Sequence, residues 1–256
     1  MPEYSLWSDP LPRPGWLNMA IDDTLLARAE TGERWVRLYA WEPTLSFGRH
    51  EPARRRYDAE RIASLGLAVV RRPTGGRAVW HAGELTYGVA LPTDGLGSIT
   101  EVYRDLHQLL CSALGRLGVQ ATLAPPARAE GLDAGACFAS SAGSEVMVAG
   151  RKVVGSAQLR RGSALLQHGS MLLEDDQTVV AQVTCGPVPM DRSMPLRRIA
   201  QRPVPWHQAA AAVADAFAAT WGAPTPIPTE RLTEVLASAA ATSERFRSPA
   251  WTWSGA

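Results

Sequence analysis

Among 26 lysines and arginines the chain keeps a single lysine, Lys152, inside the run Gly150-Arg151-Lys152-Val153-Val154-Gly155-Ser156-Ala157-Gln158. A guanidinium is a wide planar fork that stays charged, whereas an ammonium is a compact point charge whose pKa moves readily on burial. A chain that writes arginine almost everywhere has therefore kept a different chemistry at this position. Fifteen residues earlier, Cys137-Phe138 lies in a stretch rich in glycine and serine. A cysteine on such a loop can be exposed, and a nearby ammonium favours its thiolate, the nucleophilic form. Together the two residues point to covalent catalysis. The competing readings are a lysine kept by chance on a hairpin surface and a cysteine buried as a small hydrophobe.

Two further segments carry site signals. In Arg71-Arg72-Pro73-Thr74-Gly75-Gly76-Arg77-Ala78-Val79-Trp80-His81, followed by Glu84-Leu85-Thr86-Tyr87, the glycine pair permits positive φ and close approach of backbone to a ligand. Arg72, Arg77 and His81 supply donors for an anionic or carbonyl-bearing group. A plain hairpin turn accounts for Gly75 and Gly76 but not for those flanking donors. Gln167-His168-Gly169-Ser170 breaks an otherwise apolar strand. Such a break marks either a place where backbone meets ligand or a hydrogen-bonded core histidine.

The elements that must position these residues are mixed. Residues 17–29 predict a helix with Asn18 as its cap and Ile21, Leu25 and Leu26 on one face. Residues 35–39, 44–47, 67–71 and 84–91 predict strands. Ser98 and Glu101 form a capping-box pair ahead of an apolar stripe that ends at Gly118. Residues 125–144 have no period and read as loop. Residues 145–148, 152–160 and 163–173 predict three consecutive strands with tight turns at 149–151 and 161–162. Residues 205–221 and 229–241 predict two closing helices, and the tail with Trp251 and Trp253 carries no readable signal. Strands grouped between separated helices imply an α+β fold on a mixed, mainly antiparallel sheet flanked by helices. Residues 1–228 are expected to form the catalytic domain, with 229–256 as a short helical extension packed on it.

Composition narrows the class. The net charge of +1, without a basic face, leaves no electrostatic footprint for nucleic acid. Short basic clusters such as Arg54-Arg55-Arg56 read as solvated surface. The first 16 residues are polar and proline-rich, unlike a signal peptide, and no run approaches the length of a membrane span. Three scattered cysteines, Cys111, Cys137 and Cys185, form neither a disulfide framework nor a zinc site. A cytoplasmic, soluble monomer is expected.

The three chemical segments, in this order and together with Asn18-Met19-Ala20-Ile21-Asp22 and Ser46-Phe47-Gly48-Arg49, resemble the biotin/lipoate protein ligase superfamily on its lipoate side. The resemblance implies that superfamily's catalytic-domain fold and one of two chemistries. Lipoate-protein ligases activate free lipoate with ATP. Octanoyltransferases of the LipM type take an octanoyl group from acyl carrier protein onto a cysteine and pass it to a lysine of a lipoyl domain, on the glycine cleavage H protein or a 2-oxoacid dehydrogenase E2.

The second chemistry is favoured. Arg77 stands where ligases typically carry a third glycine, and Cys137-Phe138 where they carry an asparagine-aspartate pair. Cys137 and Lys152 match the family nucleophile and its partner lysine in position and spacing. Two departures are Ala142-Gly143-Ser144, where an aromatic residue is usual, and Glu51, where glutamine is common. The resemblance implies that Arg72, Gly75, Gly76, Arg77, His81, Gly155, Ser156, Ala157, Gln158, His168 and Gly169 bind substrate, and that neither cofactor nor metal is required. ATP-dependent ligation and transfer of acyl groups between lipoyl domains remain the alternatives.

Overall fold

Residues 84–92 and 164–172 show no alternation of polar and apolar side chains, and the reason is that both strands are buried along their whole length. They form the centre of a computed structural model that describes residues 3–125, 144–188 and 191–254. In chain order the described elements are β1 (Ser5–Arg13), α1 (Gly15–Glu30), β2 (Trp35–Trp41), β3 (Thr44–Phe47), α2 (Ala53–Arg56), α3 (Ala59–Ser64), β4 (Ala68–Arg71), β5 (Val79–His81), β6 (Glu84–Pro92), α4 (Ile99–Arg116), β7 (Thr122–Leu123) and β8 (Val146–Val148). They continue with β9 (Arg151–Arg161), β10 (Ala164–Leu172), α5 (Thr178–Val183), α6 (Leu196–Ala200), α7 (Trp206–Trp221), α8 (Thr229–Thr242), α9 (Glu244–Arg247) and α10 (Pro249–Thr252).

A seven-stranded sheet runs in the order β1-β2-β6-β10-β9-β8-β7, antiparallel except for the pair β1 and β2. A second sheet has the order β4-β3-β5. This is the mixed, mainly antiparallel α+β architecture expected. One face of the large sheet presents Leu85, Tyr87, Val89 and Leu91 to α4 and α7. The other presents Ala90 and Leu166 to α1 and α8.

Several local expectations need revision. Strand β1 carries Pro10 and Pro12, and it tolerates them because it lies at the sheet edge, with a register shift between Asp9 and Arg13. Helix α1 starts at Gly15 after Pro14, without a side-chain cap. Asn18 is instead enclosed by the fold, donating to the carbonyls of Arg13 and Ala40. The turn before β9 is Ala149-Gly150, both at positive φ, and Arg151 already belongs to the strand. The capping box at Ser98 and Glu101 forms as its spacing predicts.

Candidate active site

Helix α1 buries two polar residues one turn apart, Asn18 and Asp22, beside the fully enclosed Arg37 of β2. Arg37 Nη2 donates to Asp9 Oδ2 at 2.7 Å and to Asn18 Oδ1 at 2.7 Å, and Nη1 donates to Asp22 Oδ1 at 3.3 Å. The charge of Asp22 is thereby compensated, leaving Oδ2 to accept from Tyr39 Oη at 2.7 Å and from His168 Nδ1 at 2.8 Å. Burial, with the Asp22 charge acting in the same direction, pushes the Tyr39 phenol well above its ordinary pKa, so it acts as a donor. On the other side of the ring, the Thr74 hydroxyl lies 2.7 Å from His168 Nε2. His168 is thus a hydrogen-bonded histidine that also faces a pocket.

A second histidine is held in a similar way. His81 Nδ1 is 2.7 Å from Glu84 Oε1, and its Nε2 is 2.6 Å from Ser46 Oγ. Trp41 stacks on the ring at 3.9 Å between centroids and donates through Nε1 to Thr86 Oγ1 at 2.9 Å. Thr86 and Ser170 hydroxyls both donate to Glu84 Oε1. Burial lowers the His81 pKa, against the opposing pull of Glu84, and favours the neutral ring. Ser46, His81 and Glu84 mimic the order of a nucleophile triad. Ser46 is nevertheless sealed from solvent, and its Oγ receives Arg72 Nη1 at 2.5 Å, so it is a structural hydroxyl.

These residues surround a small pocket lined by Tyr39, Trp41, Arg72, Val79, His81, Thr86, Gly155, Ser156, Ala157, His168, Gly169 and Ser170. Seven residues singled out in the sequence, Arg72, His81, Gly155, Ser156, Ala157, His168 and Gly169, therefore share one wall system. Four others stand outside it. Gly75, Gly76 and Arg77 belong to a loop braced from within, where Arg72 Nη2 donates to the carbonyls of Gly75 and Arg77 at 3.2 and 2.7 Å. Gln158 donates to Gln167 Oε1 at 2.7 Å. Gly76 has a φ of 90°, and its carbonyl lies against Gly48, where an added Cβ would stand 1.8 Å from that oxygen. The close approach that the glycine pair foreshadowed is made with Gly48.

Lys152 is the second residue of β9, three residues ahead of Gly155, and does not line the pocket. Its Nζ donates to Glu145 Oε1 at 2.5 Å, and the two side chains are only 3% and 4% exposed. Its backbone is pinned by Lys152 N–H to Arg192 O and Met194 N–H to Lys152 O. Cys137 and Phe138 lie outside the described residues. Cys111 is buried in α4, where burial pushes its thiol up to about 11, which marks it as packing. Among the described residues no cluster of three or more histidines, cysteines or carboxylates is placed to hold a metal, and no helix is long and apolar enough to cross a membrane.

Sequence reasoning assigned no role to Glu145, Thr74, Trp41 or His107, nor a contact to Asp22. The sequence signal for His107 is its place on the apolar stripe of α4 with Leu110, Cys111 and Leu114, where a polar residue demands a partner. The tail was equally silent. Arg71 donates from Nε to the carbonyls of Trp251 and Thr252 and from Nη1 to those of Gly48, Arg49 and Glu51, while Trp251 Nε1 donates to Arg71 O. The C-terminal turns thus fasten the Gly48 loop.

Known proteins resemble this chain at two levels, in fold and in sequence. The solved lipoate-protein ligase A bound with ATP superposes with a TM-score of 0.81 at 21% identity, covering 98% of this chain and 99% of that one. The bipartite lipoate protein ligase of Thermoplasma acidophilum gives 0.76 at 19% identity, covering 98% and 96%. At those identities the likeness is one of fold. Sequence relatives are nearer: octanoyltransferase LipM of Kyrpidia tusciae is 35% identical over 227 residues, 80% of this chain and 83% of that protein. LipM of Symbiobacterium thermophilum is 37% identical over 230 residues, 82% and 84%. Residues 14–218 match the lipoyl protein ligase A/B catalytic domain, a span that runs from the start of α1 through both histidine clusters and Lys152 into α7, and the chain belongs to that family.

Proposed function

We propose that this chain is an octanoyltransferase of lipoate biosynthesis, moving an octanoyl group from acyl carrier protein through a thioester on Cys137 to a lysine of a lipoyl-domain acceptor. The observation that carries the reading is the similarity to LipM octanoyltransferases across four-fifths of both chains. The matched family span includes Cys137 and Lys152. In the first step the Cys137 thiolate attacks the thioester carbonyl, a carbon–sulfur bond forms, and the carrier's thiolate leaves and takes up a proton. In the second the acceptor amine attacks the new thioester, the carbon–nitrogen bond forms, the Cys137–carbonyl bond breaks and the amine sheds a proton.

Part of the pocket lining is apolar, as an acyl chain requires. Trp41, Val79 and Tyr39 offer apolar surface, where each buried methylene contributes about 0.8 kcal/mol. Lys152 is the cationic neighbour assigned to Cys137, and backbone N–H groups of the Gly155–Gln158 strand are the assigned oxyanion donors. Arg72 and His81 set the wall through Ser46 and Glu84.

The test is incubation with octanoyl acyl carrier protein followed by intact-mass measurement. Wild type should gain one octanoyl group, and Cys137→Ala none. An unmodified wild type, or an equal adduct on Cys137→Ala, would refute the transferase. Formation of an adenylate from lipoate and ATP without carrier protein would establish the ligase in its place.

A further inference from the structure

A row of polar side chains crosses β10, β6 and β9 beneath α4, on the face opposite His168. Gln158 Nε2 donates to Gln167 Oε1, and Gln167 Nε2 donates to Tyr87 Oη at 2.8 Å. Tyr87 Oη lies 2.7 Å from Ser156 Oγ, which lies 2.7 Å from His107 Nε2. The other ring nitrogen, Nδ1, is 2.6 Å from the carbonyl oxygen of Ser144. A carbonyl only accepts, so Nδ1 carries the hydrogen, Nε2 of the neutral ring accepts from Ser156, and Ser156 accepts from Tyr87. Burial holds the His107 pKa down to about 4, with the Lys152 charge acting the same way. A base that weak is badly matched to an alkylamine, so a proton-relay role is disfavoured and a geometric one remains.

The Nδ1 bond leads to Lys152. Ser144 sits at a φ of 71°, an uncommon conformation for serine that needs support from its surroundings. Its N–H donates to Ala124 O, its carbonyl is held by His107, and the next residue is Glu145, whose carboxylate receives Lys152 Nζ. We propose that His107 is a positioning residue for Lys152: by holding the Ser144 carbonyl it fixes the peptide from which Glu145 reaches the ammonium. The importance of this for catalysis rests on the role given to Lys152 above; the geometry itself does not.

The two ring nitrogens can be tested separately. His107→Asn keeps a donor near Nδ1 and gives up Ser156, whereas His107→Gln keeps a partner for Ser156 and gives up Ser144. Because Lys152 is the only lysine, labelling with Nζ-15N lysine yields one ammonium resonance without assignment. That resonance should stay at its wild-type position in His107→Asn and move toward free lysine in His107→Gln. In single-turnover acylation at saturating octanoyl carrier protein, the Asn variant should stay within about threefold of wild type. The Gln variant should slow roughly tenfold, the equivalent of one hydrogen bond, with unchanged half-saturation.

An unmoved resonance in His107→Gln, or the same displacement in both variants, overturns the proposal. Glu145→Gln keeps the shape and removes the charge, and it should shift the same resonance; a wild-type spectrum there overturns the proposal even where the histidine variants do not fold. A wild type that shows the buried resonance and accepts no octanoyl group counts against the functional reading alone.

Discussion

Gly48→Ala isolates the contact on which the glycine loop rests. The new Cβ would stand 1.8 Å from Gly76 O, 2.6 Å from Gly76 C and 3.1 Å from Gly75 C, all of them backbone atoms. Restoring the 3.4 Å at which ordinary contact begins requires the Gly76 carbonyl to retreat by about 1.6 Å. The loop is not free to do so, because Arg49 N–H donates to Thr74 O at 2.8 Å and Arg72 Nη2 to Gly75 O at 3.2 Å. Overpacking of this kind costs on the order of 3 kcal/mol. At about 2–4 °C per kcal/mol for a chain of this size, the melting midpoint should fall by roughly 6–12 °C. Thr74 moves with the loop and is the Nε2 partner of His168, so a displacement above 1 Å should slow octanoyl transfer on the order of 100-fold. Gly75→Ala is the control, since its methyl meets nothing within 4 Å and its φ is not positive. It should melt within about 2 °C of wild type. Thermal melts and single-turnover transfer on both variants decide the matter. A Gly48→Ala protein that melts and transfers like wild type would refute the close-approach argument.

Two further outcomes follow from the buried charges. Arg37→Met strips Asp9 and Asp22 of their enclosed cation and should cost about 3–5 kcal/mol by urea unfolding, and a loss below 1 kcal/mol would show that the carboxylates find other partners. His107 titrates in the fold at about 4, below its ordinary 6.5, so the unfolded chain binds the proton first and stability falls as pH drops from about 6.5 toward 4. Its share of that loss is roughly 3 kcal/mol, and His81, lowered in the same direction, adds to the slope. Unfolding His107→Asn at pH 7 and pH 4.5 should show a distinctly flatter dependence than wild type, and parallel curves would contradict the buried neutral ring.

What the sequence made legible was local or periodic. The Ser98–Glu101 capping box, strand β3 and the strands around Gly155 and His168 follow from spacing alone, because the physics that forms them acts between near neighbours. What it hid was pairing across the chain. Asn18 resembles a helix cap by its place before an apolar stripe, yet it is claimed by Arg37 of β2 and the Ala40 carbonyl, which no local pattern announces. Trp251 and Trp253 form no amphipathic pattern because their partners are distant in sequence: Arg71 lies 180 residues from Trp251, and Trp253 packs its ring on Phe47. The arginines of the glycine segment looked like ligand donors, whereas the Arg72 guanidinium is occupied by Ser46 and by its own loop's carbonyls. Side-chain type signals capacity for hydrogen bonding, and only the fold decides whether a ligand or the backbone uses it.

The Gln167-His168-Gly169 break shows how one strand serves two surfaces. Alternation sends His168 toward the pocket, where Asp22 and Thr74 hold both its nitrogens, and sends Gln167 and Gly169 to the α4 side. Gly169 must lack a side chain for the sake of that second surface. A Cβ there would stand 2.4 Å from Ser156 Oγ and 2.7 Å from both Gly155 O and Tyr87 Cε1, so any larger residue would push Ser156 off His107 and spread β9 from β10. Gly155 and Ser156 are themselves pocket walls. The pocket proposed to take the acyl group therefore depends in part on packing on the opposite side of the sheet, where the bare Gly169 lets β9 and β10 lie close and leaves room for Ser156 beside Tyr87 and His107.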